Sequence, residues 1–534
     1  MKDYYCYKIS LLLGLMVLAT SLQAQRFVPI ASSADPASPT DIFSVIMGDT
    51  TETGDRVDNN TIYQLENGQV YVTSGRLTNT ATWPLQIEAA DLTDTDNKAI
   101  LSRLPNASGE FPDIMRASGD VSLKNVWIIS GEKGALEQHD WGKIRMQGYG
   151  SKVVVKDCII EKDRGGFIQI RADSIRCYVD NSILRNGGNR RILQGNGRGI
   201  DARNFFFDTL VVRNSVVHNI QDRFFRSQGG TKPHNYIEFD QNTSFNTVGR
   251  HGHIQLGKVL TAKITNNIFM NPILLGSSLV YTDEQTQPDG DLHKVITVDT
   301  LYDETSLTIA SNNIFWTQDV LDYWASNDSV NVPGILSDLV KENMGADTTG
   351  AYFSEVLTLE NVPGSILQYV KDLYADPASL EMFDFIVEDV LVEGTPFDSG
   401  NLFDFSEFSP CYDNTSASAT ASTDGAAVGA VAGCDNIVSS LFKSINNPRL
   451  GLRVSPNPIG GQEATLSFDL TRAGYVQLNI FDISGRITAK LIDGNVQPGT
   501  QLTTWRPAAQ LSRGLYFAQL NTAEGSMTVK LMLQ

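Results

Sequence analysis

The sequence predicts an all-β protein in which a long coil of stacked strands is followed by a small C-terminal β-sandwich. The coil is predicted by a repeat: between residues 121 and 272 a β-rich run, an Asn, Asp or Gln, and further apolar residues recur. Successive copies lie 24 to 33 residues apart, which is the spacing of a solenoid whose turns carry strands and bends. The sandwich is predicted by the alternating strands and glycine-bearing turns of residues 450–534.

Each copy of the repeat has a polar residue at one equivalent place, which we call the corner position. The residues before it alternate between apolar and polar, as in a strand with one buried side, and a helix cannot use this period. Asn tolerates the left-handed conformation of a sharp bend, and stacked Asn side chains can hydrogen-bond along the coil axis. We therefore expect a polar ladder at one corner of the coil. The corner positions are Asn125, Asp157, Asn181, Asn214, Gln241 and Asn266, and a seventh copy begins at Ser311.

The recurring Asn-Asn-x-Phe and Asn-Ser-x-Val runs resemble the right-handed parallel β-helix of the pectate-lyase type. The resemblance covers roughly residues 60–320 and implies the fold, not a reaction. The fold class expected for the chain is therefore all-β, a right-handed parallel β-helix followed by a small C-terminal β-sandwich.

The N-terminus has the pattern of an export signal. Lys2 and Lys8 precede an apolar run from Ile9 to Ala19, and small residues follow it as far as Ala24. This order is typical of a cleaved signal peptide. No later segment is long and apolar enough to predict a transmembrane helix. The predicted boundaries are 1–24 for the signal peptide, 25–60 for an N-terminal extension or cap, 61–320 for the β-helix, 321–440 for a helical and irregular C-terminal cap, and 450–534 for the sandwich.

Four cysteines follow the predicted signal peptide. Cys411 and Cys434 bracket a loop rich in Ser, Ala, Thr and Gly, and we expect them to form a disulfide outside the cytoplasm. Cys158 and Cys177 lie on adjacent turns of the coil, where we expect buried thiols.

The C-terminal sandwich carries four motifs in order. They are Ser455-Pro-Asn-Pro458, Asn479-Ile-Phe-Asp-Ile-Ser-Gly-Arg486, Arg513-Gly-Leu-Tyr-Phe517 and Lys530-Leu-Met-Leu533. With these motifs, the sandwich resembles the sorting domain that directs proteins through the type IX (Por) secretion system of Bacteroidetes-like bacteria. The resemblance implies that residues 450–534 engage the secretion machinery, that the protein is secreted to the extracellular space or the outer-membrane surface, and that this domain takes no part in a reaction. The alternative is an accessory sugar-binding sandwich.

The coil is basic although the whole chain is acidic. Residues 121–272 contain 22 Lys and Arg against 13 Asp and Glu, while the full chain has a formal charge of −19. Five of the six histidines also lie in this stretch. A basic region on an acidic secreted protein predicts an anionic partner. Acidic polysaccharide is favoured over nucleic acid, because no nucleic-acid-binding motif is present.

Three copies of the repeat share the pattern Asn-x-x-x-Arg, which ends at Arg190, Arg223 and Arg250, each nine residues after its corner position. Turns of a parallel coil lie about 4.8 Å apart, so these arginines are predicted to form a column. Arg226 and His253, each twelve residues after a corner position, are predicted to form a second pair. Two interpretations remain open: a cleft that holds carboxylate or sulfate groups, or a structural repeat in which each Arg bonds backbone carbonyls of the neighbouring turn.

A polysaccharide lyase also needs a base that removes the proton next to the uronate carboxylate, and positive charge that stabilises the resulting anion. The candidate catalytic residues are Lys232, His251 and His253. Around them, the Lys and Arg-His-Gly layout resembles the chondroitinase B and alginate lyase family. The candidate substrate-binding residues are Arg190, Arg223, Arg226, Arg250 and His234.

The resemblance to that lyase family is incomplete at its metal site. Phe225, Arg226 and Ser227 stand where the family has acidic calcium ligands, so no metal-ligand set is predicted and the use of calcium stays open. Two function classes follow: a secreted polysaccharide-active enzyme, foremost a lyase, or a non-catalytic β-helix that binds glycans or acts as an adhesin. Hydrolysis ranks below both, because Asp222, Glu238 and Asp240 are scattered.

Overall fold

The structure is a computed structural model, in which two compact units are distinguished, the coil and the C-terminal strands. The predicted signal peptide, residues 1–24, lies outside the described residues. These are residues 25–35, 38–109, 112–130, 142–190, 195–249, 251–278, 294–327, 330–376, 378–379, 408–431, 434, 450–460, 463–470, 474–482, 487–508, 511–522 and 525–533.

The coil contains 32 described strands. They are β1 (Arg26–Ile30), β2 (Thr40–Asp41), β3 (Thr61–Leu65), β4 (Val70–Thr73), β5 (Leu77–Asn79), β6 (Leu85–Ala89), β7 (Ala99–Arg103), β8 (Met115–Ala117), β9 (Val121–Lys124), β10 (Val126–Ser130), β11 (Ile144–Met146), β12 (Lys152–Lys156), β13 (Ile159–Asp163), β14 (Gly166–Ile170), β15 (Ile175–Asp180), β16 (Ile183–Gly187), β17 (Arg198–Asp201), β18 (Phe207–Arg213), β19 (Val216–Ile220), β20 (Phe225–Arg226), β21 (His234–Asp240), β22 (Thr243–Thr247), β23 (Ile254–Gln255), β24 (Val259–Thr265), β25 (Ile268–Met270), β26 (Ser277–Ser278), β27 (Lys294–Thr297), β28 (Ser306–Ala310), β29 (Asn312–Phe315), β30 (Val330–Asn331), β31 (Gly334–Leu336) and β32 (Tyr352–Phe353).

Helices are few among the described residues of the coil. The α-helices are α1 (Ile42–Met47), α2 (Gln318–Ala325), α3 (Asp338–Met344) and α4 (Leu367–Ala375), and short 3-10 helices lie at Gly345–Gly350 and Ala417–Thr420. No helix of the described chain is both long and apolar enough to cross a membrane.

Three long parallel sheets form the faces of the coil, and this confirms the predicted β-helix. Strands far apart in sequence are neighbours in space; for example, Val153 pairs in register with Val121 on one side and Cys177 on the other. In spatial order, sheet 1 is β1-β3-β6-β9-β12-β15-β18-β21-β24-β28, sheet 2 is β2-β4-β7-β10-β13-β16-β19-β22-β25-β29-β32, and sheet 3 is β5-β8-β11-β14-β17-β20-β23-β27-β31.

The core fills the inside of the coil, because each strand sends alternate side chains inward. In β12, Val153 and Val155 are fully buried while the lysines beside them are partly exposed. The same inward positions on neighbouring turns are occupied by Cys177 and Leu210, also fully buried. Stacked aliphatic side chains of this kind bury apolar surface continuously from turn to turn.

The corner positions adopt the expected bend. All seven have φ values between 46° and 59°, the left-handed region that Asn, Asp and a few other residues tolerate. At the corner itself, Asn181 Nδ2 donates to Asp157 Oδ1 at 2.7 Å. A ladder of three amides lies one residue later: Asn242 Nδ2 donates to Asn267 Oδ1 at 3.0 Å, and Asn267 Nδ2 donates to Asn312 Oδ1 at 2.8 Å. These three amides are buried, so each hydrogen bond satisfies a polar group that water cannot reach.

Strand pairing extends beyond the predicted limits of the coil at both ends. β1 pairs in parallel with β3, so residues that were expected to form a loose extension already belong to the first turn. Pro29 within β1 is compatible with this position, because β1 is the edge strand of sheet 1. At the other end, β31 and β32 continue sheets 3 and 2 past residue 320.

The cysteines are placed as expected. Cys411 and Cys434 form a disulfide, and Cys158 and Cys177 are free, buried thiols. Burial raises the pKa of Cys158 to about 12, so this thiol stays protonated and inert at neutral pH.

The C-terminal unit is an antiparallel β-sandwich, as predicted. Apolar side chains such as Leu466, Leu478 and Trp505 form its own core. One sheet has the order β33-β34-β37 and the other β36-β35-β38-β39. The strands are β33 (Arg453–Ser455), β34 (Ala464–Leu470), β35 (Gly474–Asp482), β36 (Ile487–Val496), β37 (Gly499–Trp505), β38 (Gly514–Thr522) and β39 (Gly525–Leu533).

Candidate anion-binding groove

Sheet 3 carries a polar row on its outer face. Its strands are short and alternate strictly: in β11, Ile144 and Met146 point into the core and Arg145 between them points outward. Register pairing stacks the equivalent outward positions along the coil axis. From the N-terminal end, this row is Arg116, Arg145, Gln169, Asp201, Arg226, Gln255 and Thr297.

A cavity of about 340 Å³ opens beside this row, and we call it the sheet 3 groove. Its charged lining is strongly cationic, because five arginines face one carboxylate, Asp201. Asn196, Asn204 and the half-buried ring of Phe205 complete the polar and apolar parts of the lining. The five arginines are Arg145, Arg171, Arg198, Arg203 and Arg226.

Asp201 is the central anion of the groove. Arg226 grips it with two hydrogen bonds, Nε to Oδ1 at 2.8 Å and Nη2 to Oδ2 at 2.9 Å. Burial alone would raise the pKa of Asp201, but the charges of Arg198 and Arg226 outweigh it and hold that pKa below its usual value. Asp201 therefore stays ionised, and it neutralises only part of the surrounding positive charge.

Arg198 links this cluster to a second buried carboxylate. Its guanidinium lies 3.7 Å from Asp201 and 3.4 Å from Asp222, and it also donates to the carbonyl of Gly165. Burial lowers the pKa of Arg198 to about 10, which still leaves the side chain charged at neutral pH. The groove is thus continuous, through Arg198, with the pair formed by Asp222 and its partners.

Arg171 and Arg203 are the least neutralised cations of the groove. Arg171 donates to Gln169 at 2.6 Å and reaches Asp201 only at 3.8 Å, and about a third of its side chain is exposed. The guanidinium of the exposed Arg203 has neither a hydrogen bond nor an ion pair within the described chain. Burial lowers the pKa of Arg171, Asp201 acts against it, and the nearby guanidiniums of Arg145, Arg226 and Arg203 lower it further. A bound anion would relieve this repulsion.

The predicted arginine column is only partly described. Arg223 is buried, donates from Nε to Asp222 at 2.8 Å, and hydrogen-bonds Gln255 on the next turn. Arg190 is half-buried, and its carbonyl accepts from Gln221 at 3.3 Å. Arg250 lies outside the described residues. Arg223 therefore makes contacts within the coil, as in the interpretation of the arginines as a structural repeat. Its partners are the side chains of Asp222 and Gln255, whereas that interpretation expected backbone carbonyls.

The predicted pairing of Arg226 with His253 is wrong. Arg226 is in register with Gln255. The reason is the length of the loop between sheet 2 and sheet 3, which is two residues longer before β23 than before β20. β19 therefore pairs with β22 at an offset of 27 residues, whereas β20 pairs with β23 at an offset of 29. His253 instead lies inside the coil, fully buried, with Phe224 and Phe269 at ring distances of 6.0 and 4.9 Å. A ligand outside the coil does not reach it there.

The other predicted site residues have different surroundings. His251 Nδ1 lies 3.0 Å from Asp222 Oδ1 and the ring is mostly buried. His234 is buried: its Nδ1 accepts the N–H of Phe207 at 2.8 Å, so Nε2 carries the proton and donates to Ser227. Lys232 is exposed, with its ammonium 5.5 Å from the ring centre of Phe206. Lys232, His251 and His253 therefore do not share one environment.

The carboxylates of this region do not suit acid-catalysed hydrolysis, which needs one carboxyl group with a raised pKa. Asp222, like Asp201, has a lowered pKa: burial would raise it, but the charge of Arg223 and the hydrogen bond with His251 overcome that effect. The aspartates with raised pKa values, Asp180 and Asp240, lie on sheet 1. Among the residues that the structure describes, no group of three His, Cys, Asp or Glu side chains is arranged to hold a metal ion.

Sequence reasoning missed Arg145, Arg171, Arg198 and Arg203, and it did not single out Asp201. These residues lie on turns whose sheet 3 strands have only three to five residues, too short to show a pattern of their own. A usable signal was the single polar residue between apolar ones, as in Ile144-Arg145-Met146. Aligned from turn to turn, such residues mark the outward row.

Comparison with known proteins identifies the C-terminal unit. Residues 453–534 match the family described as the secretion system C-terminal sorting domain. The chain ends in a type IX sorting domain. Proteins with this tail are secreted by the type IX system, so this chain is destined for the cell surface or the extracellular space. This confirms the predicted localisation and the predicted secretion partner.

The remaining comparisons do not bear on the groove. No curated protein matches the chain. Among solved structures, the chain is similar to the alkylpurine DNA glycosylase AlkC of Pseudomonas fluorescens, bound to DNA containing an abasic site analog, at 17% identity and a TM-score of 0.13. That similarity covers 16% of this chain and 29% of the other, so the chain spans less than a third of that protein's length, and no argument rests on it.

Proposed function

We propose that this secreted β-helix protein binds an acidic polysaccharide in the sheet 3 groove. The observation that supports the proposal is the excess of charge there: five arginines line the cavity against one carboxylate, and Arg171 and Arg203 are the least neutralised of the five. Guanidinium groups recognise carboxylate and sulfate through paired hydrogen bonds. Both anions occur on the polysaccharides that a surface protein meets outside the cell.

The uncharged lining also suits a sugar. Asn196 and Asn204 offer hydrogen-bond donors and acceptors for hydroxyl groups, and the half-buried Phe205 offers an apolar face against which a sugar ring can pack. A mixture of apolar surface and a few oriented polar groups is typical of sites for small ligands and single sugars of a chain.

The test compares Arg171→Gln and Arg203→Gln with the wild type in affinity electrophoresis and calorimetry against polygalacturonate and chondroitin sulfate. Each exposed charged contact contributes roughly 1 kcal/mol, so each variant is expected to bind about five-fold more weakly. The matched control is Arg176→Gln, a half-buried arginine on sheet 1, which should bind like the wild type. Unchanged binding by both groove variants, or an equal loss in the control, would reject the groove.

A second candidate function is β-elimination in the same groove, and one contact favours it. His251 lies 3.0 Å from Asp222, whose carboxylate also contacts Arg198 of the groove lining. In such a reaction the histidine takes the proton next to the uronate carboxylate and the electron pair forms the double bond. The glycosidic oxygen leaves and takes up a proton from the protonated histidine or from water. Arginines would stabilise the intermediate anion.

Elimination and simple binding are separated by the product. Only elimination creates an unsaturated uronate, which absorbs ultraviolet light, so a rise in absorbance with polygalacturonate, alginate, chondroitin or heparin identifies a lyase. His251→Gln should then abolish the rise while binding is retained. Binding without any absorbing product would identify a non-catalytic glycan-binding protein or adhesin.

A further inference from the structure

We infer that the bound polymer runs along the coil axis and extends from the sheet 3 groove toward the N-terminal end of the coil, where Arg76 and Arg116 form a second anion subsite. The inference rests on the proposed function and specifies the ligand further: it must be a chain long enough to span both subsites, not a single sugar or a chain end.

The second subsite is built around Asp113. Arg116 Nε lies 2.9 Å from Asp113 Oδ2, Arg76 Nε lies 3.6 Å from the same oxygen, and Arg145 Nη1 lies 3.4 Å from Oδ1. Asp113 is buried, whereas 36% of the Arg76 side chain and 34% of the Arg116 side chain are exposed. Within the described chain, three guanidinium groups therefore share one carboxylate, and about a third of the Arg76 and Arg116 side chains faces solvent.

The two subsites are continuous. Arg145 belongs to both, because it contacts Asp113 and also lines the sheet 3 groove. Arg116 on β8 and Asp201 on β17 are separated by three steps of the sheet 3 order. At about 4.8 Å a step, this is a distance of roughly 14 Å along the axis, more than one sugar can cover.

The cationic track has a direction. On the C-terminal side of Arg226, the outward row continues with Gln255 and Thr297, which carry no charge. On the N-terminal side it continues through Asp201 and Gln169 to Arg145 and Arg116. An anionic chain seated at Arg171 and Arg203 therefore meets further arginines when it extends toward the N-terminal end.

The test measures the affinity of galacturonate oligomers from the disaccharide to the octasaccharide for the wild-type protein and the double variant Arg76→Gln/Arg116→Gln. For the wild type, affinity should rise with length until the oligomer covers both subsites. The double variant should bind the disaccharide like the wild type and the octasaccharide about ten-fold more weakly, because it loses two partly exposed charge contacts. Chondroitin sulfate oligomers, measured in parallel, show whether sulfate adds to carboxylate at these positions.

Two further variants make the result decisive. Arg203→Gln should weaken short and long oligomers by the same factor, and Arg116→Lys should restore part of the octasaccharide affinity because it restores the charge. A wild type that binds disaccharide and octasaccharide equally, or a double variant that loses both equally, overturns the inference and leaves the groove itself standing. A wild type that binds no oligomer of any length overturns the proposed function, and with it this inference.

Discussion

Three histidines are buried as neutral side chains in the coil, and they predict that its stability falls in mild acid. His218, His234 and His253 are at most 1% exposed. Burial lowers the pKa of His234 and of His253 to about 3, and burial together with the charge of Arg185 lowers the pKa of His218 well below its usual value. The unfolded chain takes up these protons near pH 6.5, while the folded protein does not.

The magnitude follows from this difference in proton uptake. Well above pH 6.5 these histidines are neutral in both states and do not affect stability; as the pH falls from 6.5 toward 3, protonation of the unfolded chain alone lowers the free energy of unfolding. Between pH 7 and pH 5, an unfolded histidine with a pKa of about 6.5 gains roughly 2 kcal/mol from protonation that a buried neutral one does not. His253→Leu should therefore reduce the loss of unfolding free energy over this interval by about 2 kcal/mol.

The assay is urea unfolding at pH 7 and pH 5, followed by the far-ultraviolet circular dichroism of the full chain. The change between the two pH values is compared for the wild type and His253→Leu. Phe224→Leu is the packing control, because Phe224 contacts the same ring and has no proton to exchange. It should lower stability by similar amounts at both pH values. An identical pH dependence in His253→Leu and the wild type would refute the reasoning.

Two further predictions concern the coil and its cap. Asn267→Ala removes the middle of the buried ladder and the side-chain hydrogen bonds to Asn242, Asn312 and the carbonyl of Phe239, so it should cost about 2 to 4 kcal/mol in urea unfolding. Asn235→Ala, at an exposed hydrogen bond, is the control, and equal losses would contradict the role of the ladder. Cys411→Ser should cost about 3 kcal/mol, from the loop entropy of a 23-residue separation, in non-reducing thermal unfolding. Reduction of the wild type should then give the same melting temperature, and a difference would contradict this.

The fold was predictable because its strongest constraint is local. A bend with positive φ admits few residue types, so the corner positions stand out in the sequence at every turn. The corner positions Asn181 and Asp157 are hydrogen-bonded as expected, but the pattern marks where the backbone bends and does not mark the amide ladder one residue later. The amide that points inward from the next position is fixed by packing: Asn267 Nδ2 also donates to the carbonyl of Phe239 on the turn below. Hydrogen bonds between turns leave little trace in the spacing of the residues.

The groove was less predictable because its members belong to different turns of unequal length. Counting from the corner positions is reliable through sheet 2, where the pairing of β19 with β22 keeps the corner spacing of 27 residues. It fails at sheet 3, because the loop before β23 is two residues longer than the loop before β20. Gln255 therefore lies beside Arg226, in the place where counting predicts His253. Arg226 was nevertheless proposed from the sequence, and it lies in the groove lining.

The cationic excess of sheet 3 is not a general property of the coil surface, and this strengthens the case for a ligand. On the outer face of sheet 1, the like-charged register neighbours Lys124 and Lys156 are flanked by the carboxylates of Glu88 and Asp180, so the charges of this row balance from turn to turn. On sheet 3, the register neighbours Arg116 and Arg145 are flanked by the uncharged Thr78 and Gln169. Like charges at this distance repel each other unless a counter-ion lies between them. Among the described residues, Asp113 supplies one negative charge for these three arginines, and an anion from solution would balance the remaining charge.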